Sequence, residues 1–224
     1  MTRKYEIKYL HPTAGITEIS RLAPALPAFE DAFGALGHGA ILQTDNGPMC
    51  VEDLLPGDRV RLANGDYDTL LWHGAMTLLP DFNSEDISLI RITADALGPQ
   101  RPAPDLVLGP TARLYHRANG VRTLTGVRGA FIPARDFVDG SQFIALRPVA
   151  AVRVYQLGFA EHQRLSVNGI EIESLHPGTA FSLGLRGDTL VQFLSLFPHK
   201  RDLEEFGTLN TPRLRLRDLD IFDQ

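Results

Sequence analysis

The sequence predicts a mainly β, soluble domain with short flanking helices. Asn-Gly and Asp-Gly pairs recur along the chain, short runs rich in β-branched and aromatic residues lie between them, and helical spacing of apolar residues is confined to the two ends. The 224 residues are 44% hydrophobic and 22% charged, values typical of a folded protein that buries a core.

Turn chemistry is the strongest local signal. Asn-Gly and Asp-Gly readily adopt the positive φ that two-residue hairpin turns require. Five such pairs occur: Asn46-Gly47, Asn64-Gly65, Asn119-Gly120, Asp139-Gly140 and Asn168-Gly169. The segment 55–58 (LPGD) fits a type II turn, because proline fixes φ at its second position and glycine accepts positive φ at its third. The chain should therefore contain a series of β-hairpins.

Alternation or a short apolar run marks seven strands. They span residues 40–44, 59–62, 69–73, 88–93, 105–108, 152–157 and 164–167.

Two helices are predicted at the ends of the domain, each from a stripe of apolar residues on one helical face. The first stripe follows Pro27 and consists of Leu26, Phe29, Phe33 and Leu36. The second begins after Asp188, a candidate N-cap, and stops at Pro198; it consists of Leu190, Phe193, Leu194 and Phe197. Both stripes are interpreted as core packing.

The tail, residues 212–222 (PRLRLRDLDIF), alternates apolar and charged residues. This pattern predicts an ordered strand, paired either within the domain or with the sheet edge of a partner.

Composition disfavours several functions. The net charge is −5 with both signs interspersed, so no basic footprint for nucleic acid or an anionic membrane is expected. No apolar run reaches the length of a signal peptide or a membrane helix. We therefore expect no membrane insertion, and either a cytoplasmic location or export without a cleavable N-terminal signal. A single cysteine, Cys50, excludes an internal disulfide and a multi-cysteine zinc site.

Three segments carry a family resemblance. Residues 39–44 (GAILQT) with 51–60 (VEDLLPGDRV), residues 132–140 (IPARDFVDG), and residues 154–157 (VYQL) with His162 and 173–178 (ESLHPG) resemble bacterial Hint (hedgehog/intein) domains of the type 2 subgroup. The resemblance implies a Hint-like disk of bent antiparallel strands over residues 35–178. Residues 1–34 would be an N-terminal extension with a short helix, and residues 179–224 a helix and tail packing on the same domain.

Self-processing members of this family use a Cys or Ser that attacks the preceding carbonyl, and a histidine that activates the scissile amide. The resemblance places the nucleophile on Ala35, the histidine on Ala112 and the hydroxyl that precedes it on Gly109. None of these side chains attacks a carbonyl or transfers a proton, so the resemblance implies no catalytic residues and a lost activity.

Other residues are weaker candidates for chemistry. Cys50 is more simply a small buried thiol, and His38 and His116 are more simply surface or hydrogen-bonded imidazoles. His162 and Glu173 match the family pattern and should fix turns and strand ends. The seven histidines show no metal-binding spacing, and no phosphate-binding loop is present, so we predict no metal and no cofactor.

The predicted function is a non-catalytic, Hint-derived scaffold or protein-binding domain whose partner is another protein. Four aromatic residues in strands are first of all core residues but are also candidates for a binding patch: Trp72, Phe131, Phe137 and Tyr155. Two alternatives remain open. One is an autoprocessing protein with a relocated nucleophile, and the other is a subunit of a larger secreted or particle-like assembly.

Overall fold

Two antiparallel sheets form the body of the protein in a computed structural model that describes residues 1–80 and 89–219. Their strands are β1 (Thr2–His11), β2 (Gly15–Pro24), β3 (Leu36–Gly37), β4 (Ile41–Thr44), β5 (Gly47–Cys50), β6 (Arg59–Arg61), β7 (Tyr67–Thr69), β8 (Trp72–Leu78), β9 (Leu89–Ile92), β10 (Leu106–Leu108), β11 (Arg113–His116), β12 (Ala130–Pro133), β13 (Phe143–Leu146), β14 (Val152–Gly158), β15 (Arg164–Val167) and β16 (Ile170–Glu173). The predicted mainly β fold is confirmed.

The first sheet has the order β13-β9-β10-β3-β14-β8-β1-β2, and the second has the order β12-β11-β16-β15-β4-β6-β7 with β5 paired to β4. Within residues 1–80 and 89–219, four short α-helices flank these sheets: α1 (Pro27–Asp31), α2 (Asn119–Thr125), α3 (Ala180–Leu183) and α4 (Gly187–Leu194). No helix in the described part of the chain is long and apolar enough to cross a membrane.

Six of the seven predicted strands coincide with β4, β6, β9, β10, β14 and β15. Ser88, the first residue predicted for β9, lies outside the described residues. The prediction over 69–73 was wrong, because that segment contains the end of β7 and the start of β8 in different sheets. Leu70 and Trp72 are both buried there, so the apolar run marked a junction between two strands.

Three of the five predicted two-residue turns lie in hairpins, and the predicted type II turn is also present. Asn168 and Gly169 both have positive φ, 46° and 81°, and close the β15–β16 hairpin with Val167 opposite Ile170. Gly57 also has positive φ, as the type II turn requires. Pairs at 46–47 and 64–65 lie in the β4–β5 and β6–β7 hairpins.

Two of the hairpin predictions were wrong. Asn119 and Gly120 begin α2, where Gly120 packs against Leu219 and does not have positive φ. The pair at 139–140 lies in a loop between strands of different sheets. The Asp139 carboxylate accepts hydrogen bonds from the backbone amides of residues 141–143 in that loop.

A hairpin of two ten-residue strands at the start of the chain was not predicted. β1 pairs with β2 from Thr2↔Pro24 to His11↔Gly15, and with β8 from Tyr5↔Met76 to Tyr9↔Trp72. Alternating Tyr5, Ile7 and Tyr9 are buried while Glu6 and Lys8 on the opposite face are not. This period of two, characteristic of a strand with one face on the core, is visible in the sequence.

Both predicted helices need correction. α1 ends at Asp31, and Leu36 lies in β3, buried between β10 and β14. At the other end, α4 has Arg186 and not Asp188 as its N-cap, and the separate helix α3 precedes it. Leu26 is exposed, but the aromatic members of the two stripes are buried: Phe29, Phe33, Phe193 and Phe197.

An aromatic core joins β8 to the segments that follow α1 and α4. Phe33 contacts Trp72 at 5.1 Å between ring centroids, and Trp72 contacts Phe197 at the same distance. The Trp72 indole donates a hydrogen bond to the Leu196 carbonyl at 2.9 Å. The N- and C-terminal segments are therefore integral to one side of the fold.

The tail is packed, but the predicted strand was wrong over its described residues. Arg213 forms a single parallel bridge with Phe131, and a 3-10 turn follows at Leu216–Asp218. The Arg215 guanidinium holds Asp136 through two hydrogen bonds of 2.7 Å. Residues 220–222 of the predicted strand lie outside the described residues.

Candidate functional site

The peptide bond between Gly34 and Ala35 lies against the segment 109–112. The Thr111 amide donates to the Gly34 carbonyl at 3.1 Å, and the Gly109 amide donates to the Ala35 carbonyl at 2.8 Å. The Ala35 amide donates to the Tyr155 carbonyl at 3.2 Å. The structure thus brings together the three positions selected from sequence, and an N–H donor at the Gly34 oxygen is the type of group that stabilises an oxyanion.

Side chains at these positions supply no nucleophile. Ala35 and Ala112 are buried alanines in the core between the sheets. A Cβ added to Gly109 would lie 2.0 Å from the Gly34 carbonyl oxygen, so a hydroxyl-bearing residue does not fit there without a backbone shift. With the backbone as it stands, the tight approach of segment 109–112 to residue 34 leaves no room for a side chain at position 109.

Thr111 was missed by the sequence analysis. Its hydroxyl is buried, makes no hydrogen bond with any described residue, and lies 3.1 Å from where a Cβ on Gly34 would be. A hydroxyl without a base beside it is a weak nucleophile. Thr111 directly precedes Ala112, the position that the resemblance assigns to the histidine, and this adjacency could have identified it as a residue near the site.

The alternative nucleophile is poorly placed. Cys50 ends β5, opposite Ile41 in the second sheet. Burial and the carboxylates of Glu52 and Asp53 raise the pKa of its thiol, which disfavours the thiolate that attacks carbonyls.

The candidate histidines are occupied elsewhere. His38 is exposed and lies 3.2 Å from a Glu52 oxygen. The His116 ring packs 5.4 Å from the Phe137 ring. The structure brings neither together with Ala35.

A buried ionic cluster forms around Glu173 at the end of β16. Arg213 Nε donates to both carboxylate oxygens at 2.9 and 3.2 Å, Arg113 Nη1 donates at 3.3 Å, and His162 Nε2 lies 2.9 Å away. Burial opposes ionisation of Glu173, yet His162 and the two arginines together outweigh it and lower the pKa to about 2. The carboxylate is therefore charged at neutral pH.

His176 completes this cluster as a neutral imidazole. Its Nδ1 accepts a hydrogen bond from the Gly178 amide at 3.0 Å, so its Nε2 carries the proton and donates to the Gly207 carbonyl at 3.2 Å. Burial lowers its pKa to about 4. His162 and His176 pack with their rings 5.0 Å apart. The two arginines, which the sequence analysis missed, anchor β11 and the tail to one carboxylate.

The four aromatic residues are core residues, as first predicted, and the secondary prediction of an exposed binding patch was wrong. Trp72, Phe131 and Tyr155 are buried, and Phe137 is partly buried against the core. Over residues 1–80 and 89–219, no three potential metal-ligating side chains lie close enough to hold an ion.

Comparison with known proteins identifies one family model, described as the Hint domain, over residues 35–179. Among solved structures, the chain is similar to a bacterial intein-like domain from Clostridium thermocellum at 13% identity and a TM-score of 0.44, covering 63% of this chain and 99% of that one. The MchDnaB-1 intein matches at 15% identity and a TM-score of 0.40, covering 63% and 100%. The gp41-1 intein matches at 11% identity and a TM-score of 0.34, covering 63% and 98%. No curated protein matches the chain.

Proposed function

Because the chain belongs to the Hint domain family, we propose that it is a member that has lost self-processing and serves as a protein-binding scaffold. The observation that carries the proposal is the composition of the site at the Gly34–Ala35 peptide. A backbone donor for the carbonyl is retained, but the nucleophile and histidine positions hold buried methyl groups and position 109 has no room for a side chain.

The fold of residues 1–34 supports a scaffold. In a self-cleaving protein the segment before the nucleophile leaves after the peptide bond breaks. Here that segment supplies two sheet strands and the buried rings of Tyr5, Phe29 and Phe33. Cutting the bond before Ala35 would leave this segment held by sheet hydrogen bonds and aromatic packing, so cleavage would not release it.

A sheet edge that no described strand covers supports protein binding. β2 is a terminal strand of the first sheet and is ten residues long. Ile16 and Leu22 on it are exposed apolar residues. A long edge strand presents unpaired backbone donors and acceptors to which a partner's strand adds.

Intact-mass spectrometry tests the loss of chemistry. Purified protein incubated for days at neutral pH, with and without thiol or hydroxylamine, should remain a single species of 24.7 kDa. Two fragments that meet between Gly34 and Ala35 would contradict the proposal and favour the alternative of a relocated nucleophile.

Two variants test the placement of the lost residues. The double change Ala35→Cys with Ala112→His should give weak thiol-dependent cleavage before residue 35, while Ala35→Cys alone should stay intact because no histidine activates the leaving nitrogen. Cleavage of the single variant to the same measurable extent as the double variant would show that Ala112 is not the histidine position.

Size-exclusion chromatography with light scattering separates the free scaffold from the assembly alternative. A particle mass near 24.7 kDa indicates a monomer and is the result that the scaffold proposal expects. A defined multiple of that mass would favour the assembly subunit.

A further inference from the structure

A cavity of about 530 Å³ opens beside α1 and α3. Neither Gly34 nor Ala35 lines it, so it is separate from the site of the lost chemistry. Its volume falls within the range of pockets that hold small ligands. Pro27, Leu183 and Leu209 supply apolar lining, while Arg113 and Arg213 supply charge.

The two arginines are oriented before any ligand arrives. Arg213 is fixed through Nε by Glu173 and through Nη2 by the His176 carbonyl at 2.6 Å. Arg113 is held on the same carboxylate through Nη1. Within the described part of the chain, no hydrogen bond is made by Arg213 Nη1 or Arg113 Nη2. Two guanidinium groups sharing one carboxylate leave N–H donors suited to a second carboxylate.

Asp31 narrows the chemistry of the ligand. Asp31 lines the cavity from α1. Its carboxylate would repel a multiply charged anion such as phosphate. A ligand that places an N–H donor towards Asp31 converts this repulsion into a hydrogen bond. A carboxylate with an adjacent amide or ammonium N–H, attached to an apolar side chain, fits the arginines, Asp31 and the apolar lining together.

We propose that this cavity binds a carboxylate that carries an adjacent amide or ammonium N–H and an apolar side chain, presented either by the C-terminus of a peptide or by a free amino acid. The inference does not depend on the loss of self-processing, because the cavity and the Gly34–Ala35 peptide share no lining residue. A failure to bind the ligand would not bear on self-processing, and cleavage between Gly34 and Ala35 would not bear on the cavity.

Titration of ¹⁵N-labelled full-length protein, followed by NMR, tests the proposal with three probes. N-acetyl-leucyl-leucine represents a peptide C-terminus, leucine represents a free amino acid, and the C-terminal amide of the acetylated dipeptide lacks the carboxylate. Binding should shift the amide resonances of Gly178, Thr179 and Ser182, which line the cavity. Saturable binding of the acid or of leucine, but not of the amide, supports the proposal. Tighter binding of the dipeptide acid identifies a peptide C-terminus as the ligand, and tighter binding of leucine identifies a free amino acid.

Variants locate the binding. Arg113→Gln should weaken it about tenfold or more through loss of a charge-assisted hydrogen bond. Ala28→Phe should block the cavity without touching the ionic cluster, since Ala28 lines it from α1. Arg186→Gln removes an exposed arginine outside the lining and serves as the charge-matched control.

Thermal melting of each variant checks that it is folded. If Arg113→Gln disturbs the contacts of Glu173, Ala28→Phe still tests whether the ligand binds in the cavity. The proposal is overturned if no probe binds, if the amide binds as tightly as the acid, or if Ala28→Phe leaves affinity unchanged.

Discussion

Glu173→Gln tests whether the ionic cluster stabilises the fold through a charged carboxylate. Glutamine keeps the shape of the protonated acid but removes the charge that His162, Arg113 and Arg213 contact. The pKa of Glu173 falls from 4.5 to about 2 in the folded protein. Each pKa unit corresponds to about 1.36 kcal/mol, so the ionised carboxylate contributes about 3 kcal/mol to the free energy of unfolding at pH 7.

The pH dependence has a defined sign. The folded-state pKa is below the unfolded value, so the contribution is complete above about pH 4.5 and is lost as the pH falls towards 2. The difference in free energy of unfolding between wild type and Glu173→Gln should therefore fall from about 3 kcal/mol at pH 7 to less than half of that value at pH 3.

Urea unfolding of both proteins at pH 7, 5, 4 and 3 measures this difference. Glu171→Gln is the matched control on the same strand, where the carboxylate is paired with Arg117 and Arg164 nearer the surface. It should cost no more than about 1 kcal/mol. A Glu173→Gln difference below about 1 kcal/mol at pH 7, or one that is the same at pH 7 and pH 3, would refute the reasoning.

Two further predictions concern packing. Trp72→Ala should lower the free energy of unfolding by about 3–5 kcal/mol in urea melts, because it leaves a cavity among aromatic rings and removes the hydrogen bond to the Leu196 carbonyl; a loss under 1 kcal/mol would contradict this packing. Limited trypsin digestion should spare the bonds after Arg213 and Arg215, which are held by Glu173 and Asp136, and Arg215→Ala should expose the tail to cleavage. Removal of the wild-type tail without a fall in melting temperature would show that it does not stabilise the domain.

Local chemistry in the sequence determined most of the predicted turns and many of the strands. The turns at Asn168-Gly169 and Pro56-Gly57 depend on the φ angles that these residues themselves adopt, so they are predictable from the local sequence. The structure contains both turns. The alternation of Tyr5, Ile7 and Tyr9 is a local signal of the same kind. The hairpin at residues 2–24 was therefore predictable as well.

Tertiary structure decided the features in which distant segments compete for the same residues. Leu36 belongs to an apolar stripe at helical spacing, but pairing with β10 and β14 places it in a strand. Asn119-Gly120 has the composition of a hairpin turn, yet these two residues begin α2. Gly120 packs there against Leu219, about a hundred residues later in the chain. Pairing and burial by remote residues outweigh propensities that differ by about 1 kcal/mol or less.

The sites follow the same division. The sequence by itself selected Ala35, Gly109 and Ala112, because the resemblance is carried by contiguous motifs. Only the fold showed that a side chain at position 109 would collide with the Gly34 carbonyl, and only the fold brought Arg113 and Arg213 to Glu173. Arginines one hundred residues apart carry no mark of a common partner, since a buried charge is stabilised by neighbours that the whole chain must fold to supply.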